Sequence, residues 1–326
     1  MGAVGNKGFD DGSLRRNPQK GDILNHLRVF VLLLSFISLE RLQSDEIPGQ
    51  PVPDFQNVAY GPYPRNVLDF WLAKGDGPRP LLIYIHGGGW LTGDKRLKGP
   101  AIQPFLDQGI SFAAVNYRLT PDHPLPAPVH DAARAIQFLR TQANTWNIRT
   151  DRIALTGPSA GACTSMWLLL HDDLADPNAN DPVLRETTRV CAAGVKVGQT
   201  SIDPEVIKAW LGPNVLQHPM IPMAVGQRDV TIVLEHYDRY RALYAEFSPI
   251  NHVSPDDPPL FMSCSAETNL PCRDAGHGIH HPLFGLKLKE RSDQVGHECH
   301  LVVPGVCGSK EYIDENAFLI ARLLMK

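Results

Sequence analysis

Continuous apolar runs alternate along this chain with amphipathic stretches. Leu81, Leu82, Ile83, Tyr84 and Ile85 form one such run, the pattern of a strand covered on both faces of a mostly parallel sheet. Segments 111–117 and 152–156 read the same way. Between those two, over 128–143, Ala132, Ala133, Ile136, Phe138 and Leu139 fall largely on one side of a predicted helix. Two shorter strands are predicted upstream, near 57–60 and 67–72, with Gly61, Pro62, Tyr63 and Pro64 as the turn between them. Downstream, strands are predicted at 190–197, 259–266 and 298–303, and helices after Ser159 through Leu170, over 283–295 and over 311–325. This rhythm predicts the α/β class, with a doubly wound, mostly parallel sheet. Segment 198–258, rich in proline and aromatic residues, breaks the rhythm. It is predicted to be a short cap over the C-terminal ends of the strands, where ligands bind in such sheets.

The N-terminus follows a different pattern. Residues 1–28 are polar, with Arg15, Arg16, Lys20 and Arg28, and an apolar run follows over 29–39. That run is about half the length of a membrane span. A basic flank before a short apolar core predicts a secretory signal peptide within an extension 1–44, cut near Gln43 and Ser44, and hence export without a stable membrane anchor. The alternative is an N-terminal helix docked on the domain. A Pro/Gly-rich linker (45–56) leads into the folded domain, 57–326.

Composition changes this picture little. The chain has 326 residues, 43% hydrophobic and 20% charged, with a formal net charge of -4 and no blocks of like charge. Nothing points to nucleic acid or an anionic membrane surface. Six cysteines in a chain of this length do not make a disulfide framework. Cys163, Cys191, Cys264 and Cys299 read as small core residues, whereas Cys272 and Cys307 fall in loops that could be bridged in an exported protein. No spacing suggests a metal site, and no cofactor is implied. Asp172, Asp173 and Asp176 read as a solvated helix end.

Two glycine motifs carry the chemistry. Gly157-Pro158-Ser159-Ala160-Gly161 lies between a predicted strand and a predicted helix. In that context G-x-S-x-G is a nucleophile elbow, a tight turn that presents a serine hydroxyl at the top of a sheet. Small residues at 157, 160 and 161 let strand and helix approach. Upstream, His86-Gly87-Gly88-Gly89 follows a buried strand. Consecutive glycines let backbone N–H groups point inward, and Gly87, Gly88 and Ala160 are the expected oxyanion donors. His86 reads as an organiser of this loop. The alternatives are a structural turn at Ser159 and a flexible strand-to-loop turn at 86–89.

With these motifs the chain resembles the α/β-hydrolase superfamily, and within it the hormone-sensitive-lipase-like and feruloyl-esterase-like carboxylesterases. The resemblance runs from about residue 57 to the C-terminus and includes His86-Gly87-Gly88-Gly89-Trp90, Gly93-Asp94-Lys95, Asn116-Tyr117-Arg118-Leu119, Pro126-Ala127-Pro128 with Asp131, and the serine motif. Segments 171–177 and 278–282 look like a bacterial subgroup of these esterases. The resemblance implies an α/β-hydrolase fold and a triad whose acid follows the penultimate strand, usually as D-x-x-V-P. Glu267-Thr268-Asn269-Leu270-Pro271 stands there, so Glu267 is the implied acid and Asp274 the reserve. An exposed loop carboxylate is the other reading of Glu267.

The implied histidine should follow the last strand, in a P-G-x-x-H loop. Residues 304–309 read Pro, Gly, Val, Cys, Gly, Ser, and no histidine lies beyond His300. His280 and His281, expected at the start of the helix after the Glu267 loop, lie on the same rim of the sheet as Ser159. They are the candidate bases, His281 ahead of His280, with a purely local helix-entry role as the alternative. His277 is weaker, and His297 and His300 read as structural. The expected function is a serine carboxylic ester hydrolase that forms an acyl-serine intermediate on small or short-acyl esters. Its rivals are a non-catalytic α/β-hydrolase-fold binding protein and an amide-cleaving serine hydrolase. The expected partner is a small-molecule ester.

Overall fold

The computed structural model describes residues 50–97 and 101–325. The predicted extension 1–44, with its signal peptide, lies outside the described residues. Among the described residues no helix is long and apolar enough to cross a membrane.

Eight strands form one sheet: β1 (Phe55–Ala59), β2 (Val67–Trp71), β3 (Arg79–Ile85), β4 (Ser111–Val115), β5 (Ile148–Pro158), β6 (Ala192–Lys196), β7 (Leu260–Ser263) and β8 (Cys299–Val302). Their order is β1-β2-β4-β3-β5-β6-β7-β8. β2 pairs antiparallel with β1 and β4, and every other neighbouring pair is parallel. The helices are α1 (Gln103–Asp107), α2 (Ala127–Thr141), α3 (Ala160–Leu170), α4 (Pro204–Leu211), α5 (Met220–Ala224), α6 (Val230–Glu235), α7 (Tyr237–Glu246), α8 (Ala275–Ile279), α9 (Leu283–Val295) and α10 (Glu315–Leu324). This is the α/β-hydrolase fold.

The apolar runs become strands because both faces of the sheet are covered. Along β3, Leu81, Ile83 and Ile85 join the larger core, while Leu82 joins the smaller core on the opposite face. In β4, Ala113 and Val115 face the first core and Phe112 and Ala114 the second. Each strand thus splits its side chains by the two-residue repeat of extended backbone. α3 leaves the central strand β5 and is buried along its whole length, so β5 and α3 fix the position of residue 159.

Several expectations need adjusting. The final helix begins at Glu315 rather than 311, because the Asp314 side chain accepts from the Ala317 N–H at 2.8 Å and sets the first turn. Asp173 is exposed, as its acidic run suggested, and it also pins a loop by accepting the Thr188 N–H at 2.8 Å and the Ala175 N–H at 3.1 Å. All six cysteines are free, with Cys272 buried and Cys307 exposed. His280 and His281 do not open α9. They follow α8, whose N-cap is Asp274, and Pro282 stands between them and α9. Segment 198–258 forms α4–α7 with two 3-10 turns at Pro213–Gln217 and Pro249–Asn251, inserted between β6 and β7.

Candidate active site

β5 ends at Pro158 and α3 starts at Ala160, which leaves Ser159 alone to turn the chain. Its φ of 53° and ψ of −122° are rare for a residue with a side chain, a strain that persists only when the surroundings hold it. They do so through the Ser159 N–H, which donates to the Lys196 carbonyl at 2.9 Å. The flanking glycines are required by distance. A Cβ on Gly157 would lie 2.2 Å from the Ile85 carbonyl oxygen, and one on Gly161 would lie 2.0 Å from the same atom.

The glycine loop is packed directly against this turn. A Cβ on Gly87 would fall 2.7 Å from the Pro158 carbonyl oxygen, and Gly88 has a φ of +104°. Among the described residues, the N–H groups of Gly87 and Gly88 enter no turn or cap, and that of Ala160 is the first of α3. These three free donors flank Ser159. The loop is tied to α3 by Trp90, whose Nε1–H donates to Thr164 Oγ1 at 3.0 Å. Beneath it, Lys95 and Asp69 form a buried ion pair at 2.7 Å, and Asn116 bridges the Lys95 N–H and Asp94 at 2.6 and 2.7 Å.

His86 does not face Ser159. Its ring stacks on Tyr117 with centroids 4.1 Å apart, Nδ1 donates to the Gly87 carbonyl at 2.8 Å, and Nε2 accepts from Arg65 at 3.3 Å. Burial, with the Arg65 charge adding to it, pushes its pKa down to about 4. The unfolded chain, with an ordinary histidine, therefore binds more protons than the folded one between pH 6.5 and 4, and stability must fall as the pH is lowered across that window. The loss assignable to this residue is on the order of 3 kcal/mol. Urea titrations at pH 7.5 and 4.5 should show a smaller pH dependence for His86→Gln than for the unaltered chain; superimposable profiles would contradict the assignment.

Opposite the elbow, Ser159 Oγ lies 2.9 Å from His280 Nε2. The Gly276 carbonyl, one helical turn back, acts on the His280 ring so as to favour a proton on it. With that proton on Nδ1, the neutral ring presents the lone pair of Nε2 to the hydroxyl. Burial lowers its pKa, opposed by the bond to Gly276, which favours the neutral form. The backbone around His280 is held from three sides. Gln199 Nε2 donates to the Ile279 carbonyl at 2.7 Å, Ser265 Oγ donates to the His280 carbonyl at 3.2 Å, and a Cβ on Gly278 would meet Val215 Cγ2 at 2.2 Å.

The other expected partners are not assembled here. His281 is buried and turned away, its Nδ1 accepting the Leu283 N–H at 3.1 Å. Successive residues at the end of a helical turn point in different directions, so only one of the pair can reach Ser159. Glu267 is 54% exposed and faces Arg273 at 3.5 Å and His277 at 3.7 Å, not His280. Asp274 caps α8 by accepting the His277 N–H at 2.8 Å; it shapes the turn that carries His280. His297 and His300 are engaged locally, with Ser292 at 3.0 Å and Glu298 at 2.9 Å. Gln199, Ser265 and Gly276 were not foreseen from sequence; the cap at Asp274 and the two glycines after it were the only local signal.

An open cleft of about 510 Å³, lined by Tyr84, Gly87, Gly88, Asp94, Pro158 and Ser159, gives access to the hydroxyl. A nucleophile on the wall of this cleft, an imidazole in contact with its hydroxyl and backbone donors beside it can together attack and polarise a carbonyl. The BD-FAE family model matches residues 68–270, which take in the glycine loop and Ser159. The chain belongs to the BD-FAE family. That match ends ten residues before His280, so the imidazole partner lies in the part of this BD-FAE protein beyond it.

Among curated relatives, the chain is 30% identical over 211 residues to the probable carboxylic ester hydrolase LipM of Mycobacterium tuberculosis, across 63% of this chain and 46% of LipM. It is 28% identical over 264 residues to esterase LipC of the same organism, across 79% and 60% respectively. It thus spans about half the length of the curated relatives it matches. Solved structures with the same fold include a truncated carbohydrate esterase from gut microbiota, with TM-score 0.66, 20% identity, and coverage of 83% and 96%. Esterase Est2 of Thermogutta terrifontis matches with TM-score 0.57, 19% identity, and coverage of 88% and 93%.

Proposed function

We propose that this BD-FAE protein is a serine carboxylic ester hydrolase acting through an acyl-serine intermediate on small or short-acyl esters. The observation that carries this reading is the 2.9 Å contact between Ser159 Oγ and His280 Nε2 beside the unpaired N–H groups of the glycine loop. Ser159 attacks the ester carbonyl while His280 takes its proton. The Gly87, Gly88 and Ala160 N–H groups hold the oxyanion, and each such donor contributes about 3 kcal/mol. His280 then protonates the leaving alkoxide, and in the second half it draws a proton from water that attacks the acyl-serine. The names of LipM and LipC as ester hydrolases agree with this reading. A recess of about 200 Å³ lined by Leu97, Phe105 and Phe112 adjoins the cleft through Tyr84 and Pro158, a size suited to a short acyl chain.

In this mechanism the Gly276 carbonyl does what a triad carboxylate does elsewhere: it holds the ring in the reactive tautomer. A carbonyl dipole stabilises the imidazolium less than a full charge, so modest turnover is expected. Glu267→Gln should change kcat for p-nitrophenyl acetate by less than about threefold, because the carboxylate is exposed and remote from the ring, whereas loss of a working triad acid costs about 10⁴. A fall of that size would restore Glu267 to the triad. The test of the proposal itself is labelling by a fluorophosphonate probe: an adduct should map to Ser159 and be lost in Ser159→Ala. One observation favours a second reading, a binding protein without turnover, namely that the carboxylate of Glu267 faces His277 and not His280; an unlabelled Ser159 would select it.

A further inference from the structure

The segment that leaves β6 runs between the nucleophile helix and the turn that carries His280. Val197 donates its N–H to the Ser263 carbonyl at 2.8 Å. A Cβ on Gly198 would lie 2.7 Å from both Ala162 Cβ and Met166 Cε, so the chain here rests directly on α3. The next residue, Gln199, reaches the opposite wall, where its Nε2 donates to the Ile279 carbonyl at 2.7 Å. Thr200 Oγ1 then donates to the Phe284 carbonyl at 2.8 Å and ties the segment to α9. Gln199 and Thr200 are both fully buried.

The Ile279 carbonyl belongs to the peptide plane before His280 Cα, and the His280 carbonyl to the plane after it. Gln199 holds the first and Ser265 the second. α8 has ended here, and His280 stands at φ −113° and ψ 15°. Because each peptide is planar, pinning both carbonyls restrains the two torsions of His280 and so the direction of its Cα–Cβ bond. Gln199 Oε1, by contrast, is buried and has no partner among the described residues. Turning the amide over gives no relief, since Oε1 would then face the Ile279 carbonyl. A buried acceptor left unpaired costs stability that an apolar side chain of the same size avoids. Such a cost is kept where the other half of the group is needed. We propose that Gln199 is the positioning residue for the base: it holds the peptide before His280 against the nucleophile helix and so sets the 2.9 Å between Nε2 and Ser159 Oγ. The assignment rests on the esterase reading of Ser159 and His280 given above.

The test pairs two near-isosteric changes in this buried segment. Gln199→Met keeps the length of the side chain and removes the donor. It should lower kcat for p-nitrophenyl acetate by about 10–100-fold, the scale of a misplacement of about 1 Å. KM should stay within about threefold of the unaltered enzyme, because the substrate-binding groups are untouched. The melting temperature should stay within about 4 °C, because the orphaned amide oxygen leaves together with the donor. Thr200→Val removes an equally buried bond but frees only the Phe284 carbonyl, and it should leave kcat within about twofold. A kcat for Gln199→Met within about threefold of the unaltered enzyme overturns the assignment. So does a fall of the same size in Thr200→Val, or a Gln199→Met protein that melts far lower or fails to fold, since each marks a merely structural tie. Fluorophosphonate labelling runs in parallel. Labelled Ser159 with an unchanged kcat in Gln199→Met removes only the role of Gln199, whereas an unlabelled, inactive wild type removes the esterase reading itself.

Discussion

Ser159→Ala is expected to lower kcat for p-nitrophenyl acetate by about 10⁴–10⁶ and to leave the fold intact. The loss is large because serine and imidazole act as a unit: without Oγ there is no acyl-enzyme, and the oxyanion donors retain only their residual effect. The fold should survive because alanine fills the same space, and the strained φ of 53° is set by the glycines at 157 and 161 and by the bond to the Lys196 carbonyl rather than by the hydroxyl. Steady-state rates beside a thermal melt check both parts. Equal rates for the two proteins, above the uncatalysed background, would place any activity elsewhere.

The second large effect separates two neighbouring histidines. His280→Ala should reduce kcat by at least about 10³, since an unassisted serine is almost wholly protonated at neutral pH. His281→Ala should leave kcat within about threefold but lower stability by about 1–2 kcal/mol, through loss of a buried bond to the Leu283 N–H. Because burial lowers the His280 pKa and only the neutral ring can act as base, the acidic limb of kcat/KM should fall below pH 6.5. Matching kinetic losses in the two variants, or a loss confined to His281→Ala, would reject His280 as the base.

The parts of the site that could be read from sequence are those that local geometry dictates. A strand, a serine among small residues and a buried helix specify the elbow at 157–161, and three glycines after β3 specify the loop, because a Cβ has no room at 87 and 88 and the backbone is left-handed at 89. The sheet was equally legible, since a strand covered on both faces must be apolar at consecutive positions. Choosing between His280 and His281 was a different problem. Their ring directions depend on where α8 ends, which the local cap Asp274 sets together with Gln199, Ser265 and Val215 from other parts of the chain. Glu267 occupied the expected sequence position, yet its loop turns the carboxylate toward Arg273 and His277.

The end of the sheet beyond β8 follows from the same arrangement. There Glu315, at the head of α10, is buried, accepts from Ser263 Oγ at 2.9 Å and pairs with Lys196. It ties β6, β7 and α10 together and, with Lys196, lines the recess that adjoins the cleft at Ser159. On the proposed reading, with the imidazole carried between β7 and α9, the chemistry asks nothing of the segment joining β8 to α10. Val306 and Ile313 stand 55% and 88% exposed in it. Such a stretch is free to drift, to lengthen or to acquire a recognition role in descendants while the reacting groups stay unchanged, and it offers an engineer an insertion point for a reporter or a binding module that leaves the catalytic rim untouched.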